Sequence, residues 1–205
     1  TYTDHLTPPN QYLVHDSDES YRLELLKSAP ARFDSSRFEV IQNHVKSRDG
    51  TLIPYFVLKQ KDLVSDSSHP TILYGYGGFE VSLTPSYSGT IGKLWLERGG
   101  VYVVANIRGG GEFGSEWHQA ALKENRQRAY DDFIAVAEDL IARKITSPAH
   151  LGIEGGSNGG LLVGAVMVQR PELFNAVLSE VPLLDMIRYS KLLAGASWIG
   201  EYGDP

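Results

Sequence analysis

From residue 38 onward, apolar and polar positions fall into short runs whose period switches at regular intervals. Residues 40–46 read as a strand, and Arg48-Asp49-Gly50-Thr51 carries the Asp-Gly signal of a hairpin turn. Residues 52–58 return as a second strand, in which Pro54 predicts an edge position because proline cannot donate to a ladder. After a polar loop over 59–69, residues 71–74 form a short apolar strand that runs into Gly75-Tyr76-Gly77-Gly78. Residues 91–98 predict a helix stopped by Gly99-Gly100. The unbroken run Val101-Tyr102-Val103-Val104-Ala105 suits a buried parallel strand. The clearest helix spans 131–143, with Phe133, Ile134, Ala137, Leu140 and Ile141 on one face at spacings of three and four. Ser147-Pro148 breaks it, and strand 151–153, helix 159–169 and strand 176–178 follow. This alternation predicts an α/β fold, a mainly parallel sheet with helices on both faces.

Residues 1–36 do not share the rhythm. Thr7-Pro8-Pro9-Asn10 is turn chemistry, and residues 12–14 and 21–26 read as two short strands, a helix being open for the second. This piece is expected to belong to another module or to be an N-terminal extension, with the α/β domain occupying 37–205.

Composition narrows the classes. A chain of 205 residues with 42% hydrophobic positions supports one globular core. No run of about 18 apolar residues occurs, so no transmembrane helix is expected and no membrane is counted among the partners. The opening TYTDHLTPPN has neither a basic start nor an apolar core, although a signal removed beforehand would leave the same sequence. The absence of cysteine removes disulfides, a thiol nucleophile and thiolate metal sites, and fits a reducing, cytoplasmic setting. The formal charge is −6 with scattered Lys and Arg, so nucleic acid is not an expected partner.

The chemistry concentrates in Gly155-Gly156-Ser157-Asn158-Gly159-Gly160. This is G-x-S-x-G between an expected strand and an expected helix, the setting of a nucleophile elbow. A turn that tight strains the serine backbone, and side chains two residues before and after it would collide, so glycine is needed there. The helix that follows aims its N-terminus at the same point, which makes the Asn158 N–H an oxyanion donor. The loop after the strand at 71–74 offers the second donor, from glycine-freed backbone or from the Tyr76 hydroxyl. Two other readings compete. Gly109, Gly111 and Gly114 spell G-x-G-x-x-G after a strand, with Asp131 and Asp132 downstream, the pattern of a dinucleotide site. Glu116 and His118 are spaced wrongly for a helical metal pair, so no metal or cofactor is expected, and His118 reads as a solvated surface residue.

Taken together, Tyr-Gly-Tyr-Gly-Gly-Phe at 74–79, Ala-Asn-Ile-Arg-Gly-Gly-Gly-Glu-Phe-Gly at 105–114 and Gly-Gly-Ser-Asn-Gly-Gly-Leu-Leu at 155–162 resemble the successive signatures of the prolyl oligopeptidase family, and 185–186 and 198–204 continue the match. The resemblance implies an α/β-hydrolase domain joined to a β-propeller, with residues 1–36 as the propeller's end, and a serine endopeptidase acting on short proline-containing peptides. It implies Ser157 as the acylated nucleophile, Tyr76 and the Asn158 N–H as oxyanion donors, and Phe79, Trp198 and Tyr202 as the walls for the proline ring. Trp198 and Tyr202, four apart, share a face if their segment is helical.

In this fold the acid and the histidine follow the serine. All six histidines, His5, His15, His44, His69, His118 and His150, precede Ser157. Asp185 is the one acid considered, and the resemblance puts both partners later still. The chain is therefore expected to be a fragment, incomplete at the C-terminal side of the sheet and inactive alone. A complementary C-terminal segment or a second copy of the chain would be its partner, in a packing role if not a catalytic one.

Overall fold

The first apolar runs form a ribbon of their own. In the computed structural model, which describes residues 1–17 and 20–205, strands β1 (Asn10–Ser17) and β2 (Ser20–Ser28) pair antiparallel and form a sheet separate from the main one. The second run is thus a strand and not a helix, and it is exposed along its whole length.

The main sheet begins with the hairpin of β3 (Phe38–Lys46) and β4 (Leu52–Gln60), turned at Gly50 with φ +87°. Then come β5 (Thr71–Gly75), helix α1 (Gly89–Leu94), β6 (Val101–Ala105), α2 (Ser115–Gln119) and α3 (Gln127–Ala142). Strand β7 (Leu151–Gly156), α4 (Asn158–Gln169), β8 (Ala176–Glu180) and the short α5 (Ile199–Tyr202) complete the order. Across the sheet the strands run β3-β4-β6-β5-β7-β8. The last four are parallel to one another, and β4 meets β6 antiparallel. No helix among the described residues is long and apolar enough to cross a membrane.

Pro54 corrects one expectation. It lies on β4, which has neighbours on both sides, and β3 is the edge. Proline is tolerated because of where the second ladder stops. The β4–β6 pairing ends at Tyr55 with Ala105, and the Pro54 carbonyl accepts from the Asn106 N–H at 3.0 Å just beyond it. The proline nitrogen faces the same side, where no further ladder partner requires a donor.

Alternation along the strands separates two cores. Tyr55, Val57, Leu73, Val101, Val103, Leu151 and Ile153 face Phe133, Val136 and Leu140 of α3 and Leu162, Val163 and Val166 of α4. On the opposite face Phe33, Phe38, Leu58 and Leu96 pack with Ile91, Trp95 and Tyr102. Each such buried side chain contributes about 1.5–3 kcal/mol of transfer free energy. A buried clamp ties the layers together. Arg108, after β6, donates to Asp132 of α3 through its backbone N–H (3.0 Å), Nε (2.9 Å) and Nη2 (2.6 Å), and Nη1 reaches Asp49 in the hairpin turn at 2.6 Å. Ser47 Oγ also donates to Asp132 at 2.6 Å.

Candidate active site

Strand β7 delivers Ser157 directly into α4. Ser157 has φ +55° and ψ −114°, a conformation that L-residues avoid and that the surroundings must hold in place. Its N–H donates to the Glu180 carbonyl of β8 at 2.9 Å, and its carbonyl accepts from Leu161, the first bond of the helix. The side chain is exposed at the C-terminal end of the parallel strands, where sites in such sheets form. The flanking glycines are required sterically: a Cβ on Gly155 would sit 2.2 Å from the Gly159 carbonyl oxygen, and one on Gly159 would sit 2.7 Å from that of Gly75.

The loop after β5 lies beside this turn. Gly77 has φ +60° and Phe79 φ +53°, and the Asn158 side chain donates from Nδ2 to the Tyr76 carbonyl at 2.5 Å. Gly78 leaves room for that contact, since a Cβ there would meet Asn158 Nδ2 at 2.4 Å. A cleft of about 180 Å³ is lined by Tyr76, Phe79, Ser157, Asn158, Trp198 and Tyr202. The six residues expected from the sequence therefore share one cavity. Leu183 completes the lining and was not anticipated, being one aliphatic position in an irregular stretch. Trp198 caps α5 at its N-terminus and Tyr202 closes the helix, so the four-residue spacing does place them together. Phe79 meets Tyr202 edge-on at 5.7 Å, and Tyr189 supports the same ring from another side at 5.6 Å. Burial pushes the Tyr202 hydroxyl well above the usual phenol range, and it donates to Asn158 Oδ1 at 2.8 Å.

The loop 109–114 supports the site from below and is occupied by the chain's own backbone. A Cβ on Gly109 (φ +95°) would meet the Gly77 carbonyl oxygen at 2.3 Å, and one on Gly111 would meet that of Glu80 at 2.2 Å. Asp132, the acid a ribose would need, is fully buried on Arg108. The glycines serve close approach of two loops, which removes the basis for a dinucleotide reading. Asp185 is also spent locally: it accepts from Arg188 Nε at 2.7 Å, and that bond holds its carboxyl below the usual range.

His118 departs from expectation. It is not a solvated surface residue; its side chain is 17% exposed and Nε2 lies 2.8 Å from Glu201 Oε2. Glu201, 5% exposed on α5, also accepts from the Phe79 N–H at 2.9 Å and from Arg126 Nη1 at 3.1 Å. Arg126 Nη2 then donates to Asn158 Oδ1 at 2.5 Å. The two members of each of these bonds are at least 32 residues apart, so no periodicity or motif spacing could have announced the pairings. No histidine is hydrogen-bonded to Ser157 among the described residues. His150 stands at the far end of β7 on Ser147 Oγ, and His69 bonds the Val64 carbonyl.

Residues 85–205 match the model of the prolyl oligopeptidase family. A peptidase of Sinorhizobium fredii is 59% identical over 184 residues, covering 90% of this chain and 25% of that protein. A prolyl endopeptidase of Elizabethkingia miricola is 41% identical over 203 residues, covering 99% and 28% respectively. Among solved structures, a post-proline cleaving enzyme from Rickettsia typhi superposes with a TM-score of 0.93 at 49% identity over 99% of this chain and 29% of that one. The chain thus spans about a quarter of the length of the curated relatives it matches.

Proposed function

This chain belongs to the prolyl oligopeptidase family, and from that premise we propose that it carries the nucleophile, oxyanion donors and specificity pocket of a serine peptidase that cleaves short peptides after proline. The observation that carries the reading is the strained, exposed Ser157 in one cavity with Tyr76, Trp198 and Tyr202. In this reading Ser157 Oγ attacks the carbonyl carbon of the proline residue, and its proton passes to a general base as the C–O bond forms. The negative charge that develops on the carbonyl oxygen is met by the Asn158 N–H and the Tyr76 hydroxyl. Collapse expels the amine with a proton returned by the same base, and water then repeats the sequence to release the acid. Phe79, Trp198 and Tyr202 offer flat apolar walls to the proline ring, a group with no N–H to satisfy.

We place the base outside residues 1–205, because the six histidines are upstream of Ser157 and none is bonded to it. Residues 1–36 are proposed to belong to a separate module, a reading supported by the exposure of β2 and the separation of the β1–β2 ribbon from the main sheet, with His5 and Phe33 docking the stretch onto that sheet's face. The test is a fluorogenic peptide with proline at the cleaved position. The intact protein should turn it over and Ser157→Ala should abolish this, whereas turnover insensitive to Ser157→Ala would overturn the assignment. The isolated 205 residues should retain only residual catalysis, on the order of 10³-fold over water. Robust Ser157-dependent turnover by them alone would show that an upstream residue is the base.

A further inference from the structure

Behind the cavity, a buried chain of charged and polar groups links the loop after β5, the start of α4 and α5. Glu201 and Arg126 have side chains 4% and 9% exposed and face each other at 3.1 Å. Each reaches further. Glu201 holds the Phe79 N–H, and so grips the loop after β5 at one point. Arg126 holds Asn158 Oδ1, whose amide nitrogen grips the same loop at the Tyr76 carbonyl. The same Oδ1 takes the Tyr202 hydroxyl, and the Arg126 guanidinium lies against the Tyr202 ring at 5.5 Å and the Tyr130 ring at 6.0 Å. One guanidinium therefore touches α5, the N-terminus of α4 and, through Glu201 and Asn158, both ends of the segment 76–79.

We propose that Arg126, acting through Glu201 and Asn158, is a positioning residue that sets the Tyr76 hydroxyl and the aromatic pocket in register with Ser157. The inference rests on the peptidase reading above. It follows from how the pieces are joined. Helix α5 is a single turn that continues the short 3₁₀ turn Gly195–Trp198, and no strand or long helix lies between β8 and it, so little extended structure fixes its distance from the loop after β5. Planar, two-pronged donation lets one residue define two directions at once, which a point charge cannot do. A buried ion pair is moreover a poor source of stability: well-packed neutral replacements for both partners are often no less stable, while loss of one partner leaves a stranded charge. That asymmetry separates positioning from mere support.

The experiment uses the intact protein and three variants: Arg126→Met, Arg126→Met/Glu201→Gln, and Arg126→Lys. Thermal midpoint, kcat and KM on a proline substrate are measured for each. The single methionine variant should lose both stability and activity. The double variant should recover its thermal midpoint while kcat stays about 10²-fold down, the scale of a misplacement near 1 Å at a reacting centre. Arg126→Lys, which keeps the charge opposite Glu201, should stay folded and still lose kcat by at least about tenfold, with a smaller change in KM. Recovery of kcat together with the thermal midpoint in the double variant would overturn the inference and leave the pair a structural one. If the double variant does not fold, wild-type kcat in Arg126→Lys overturns it equally. Wild-type protein without Ser157-dependent turnover would instead overturn the peptidase reading, and the inference with it.

Discussion

Gly155→Ala tests whether the elbow is as tight as its geometry implies, and Gly152→Ala on the same strand supplies the control. At Gly155 the added methyl would lie 2.2, 2.5 and 2.9 Å from the oxygen, carbonyl carbon and Cα of Gly159, all below the 3.0 Å that real Cβ contacts respect. The worst contact is 0.8 Å short (2.2 against 3.0 Å), and every offending atom is backbone, so no side chain can rotate away. Either β7 or the first turn of α4 must shift by nearly that amount, and Ser157 sits between them. Overpacking of this kind costs on the order of 2 kcal/mol, and a displacement near 1 Å at the nucleophile should lower kcat about 10²-fold. At Gly152 the nearest atom would be the Ala176 Cβ at 3.6 Å, an ordinary contact. Alanine there should be neutral, or stabilising by about 0.4–1 kcal/mol through the unfolded chain. Urea unfolding and kcat measured on the same preparations of intact protein decide the matter. A Gly155→Ala protein with wild-type stability and kcat would refute the steric reasoning, as would a Gly152→Ala protein harmed as badly.

Two further outcomes are expected. Trp198→Ala removes one wall of the cleft and should raise the barrier on a proline substrate by about 1–3 kcal/mol, so an unchanged kcat/KM would refute its place in the pocket. The Arg108 hydrogen bond holds the Asp49 carboxyl well below its usual range in the folded protein. Its stabilising contribution is therefore complete above the unfolded value near 3.8 and is lost as pH falls through the lower folded value. Asp49 is partly exposed and screened, so the effect is small; the fall in thermal midpoint on acidification below about pH 4 should be shallower in Asp49→Asn, and identical slopes would count against the clamp.

Local signals in the sequence recovered whatever depends on neighbouring residues. The stripe of Phe133, Ala137 and Leu140 gave α3, the apolar run at 101–105 gave β6, and the glycines around Ser157 gave the elbow, because each reports a period or a turn that only certain residues satisfy. Pro54 misled because a proline's tolerance depends on how far a partner strand extends, which only the ladder reveals. Trp198 and Tyr202 reached the pocket through family resemblance rather than through pattern, since a short aromatic segment reads equally well as core. His118, Arg126 and Glu201 join a network with Asn158 from separate parts of the α/β-hydrolase domain; Asn158 is marked by its place in G-x-S-x-G, but the other three, as single polar residues outside any motif, look solvated until the fold assembles them.

The backbone of Ser157 also has a place in time. Its positive φ is a strain of about 1–3 kcal/mol that local preferences oppose. What holds it is a set of encounters between remote stretches: Thr71 beside Leu151, Gly156 beside Glu180, and the Ser157 N–H on the Glu180 carbonyl. Parallel pairings of this separation close late in folding, because loop entropy opposes them until the contacts form. Before they close, the serine is free to relax and its hydroxyl is an ordinary alcohol. In the intact protein a reagent that labels Ser157 would therefore report a step that cannot precede these pairings, lagging the appearance of helical signal.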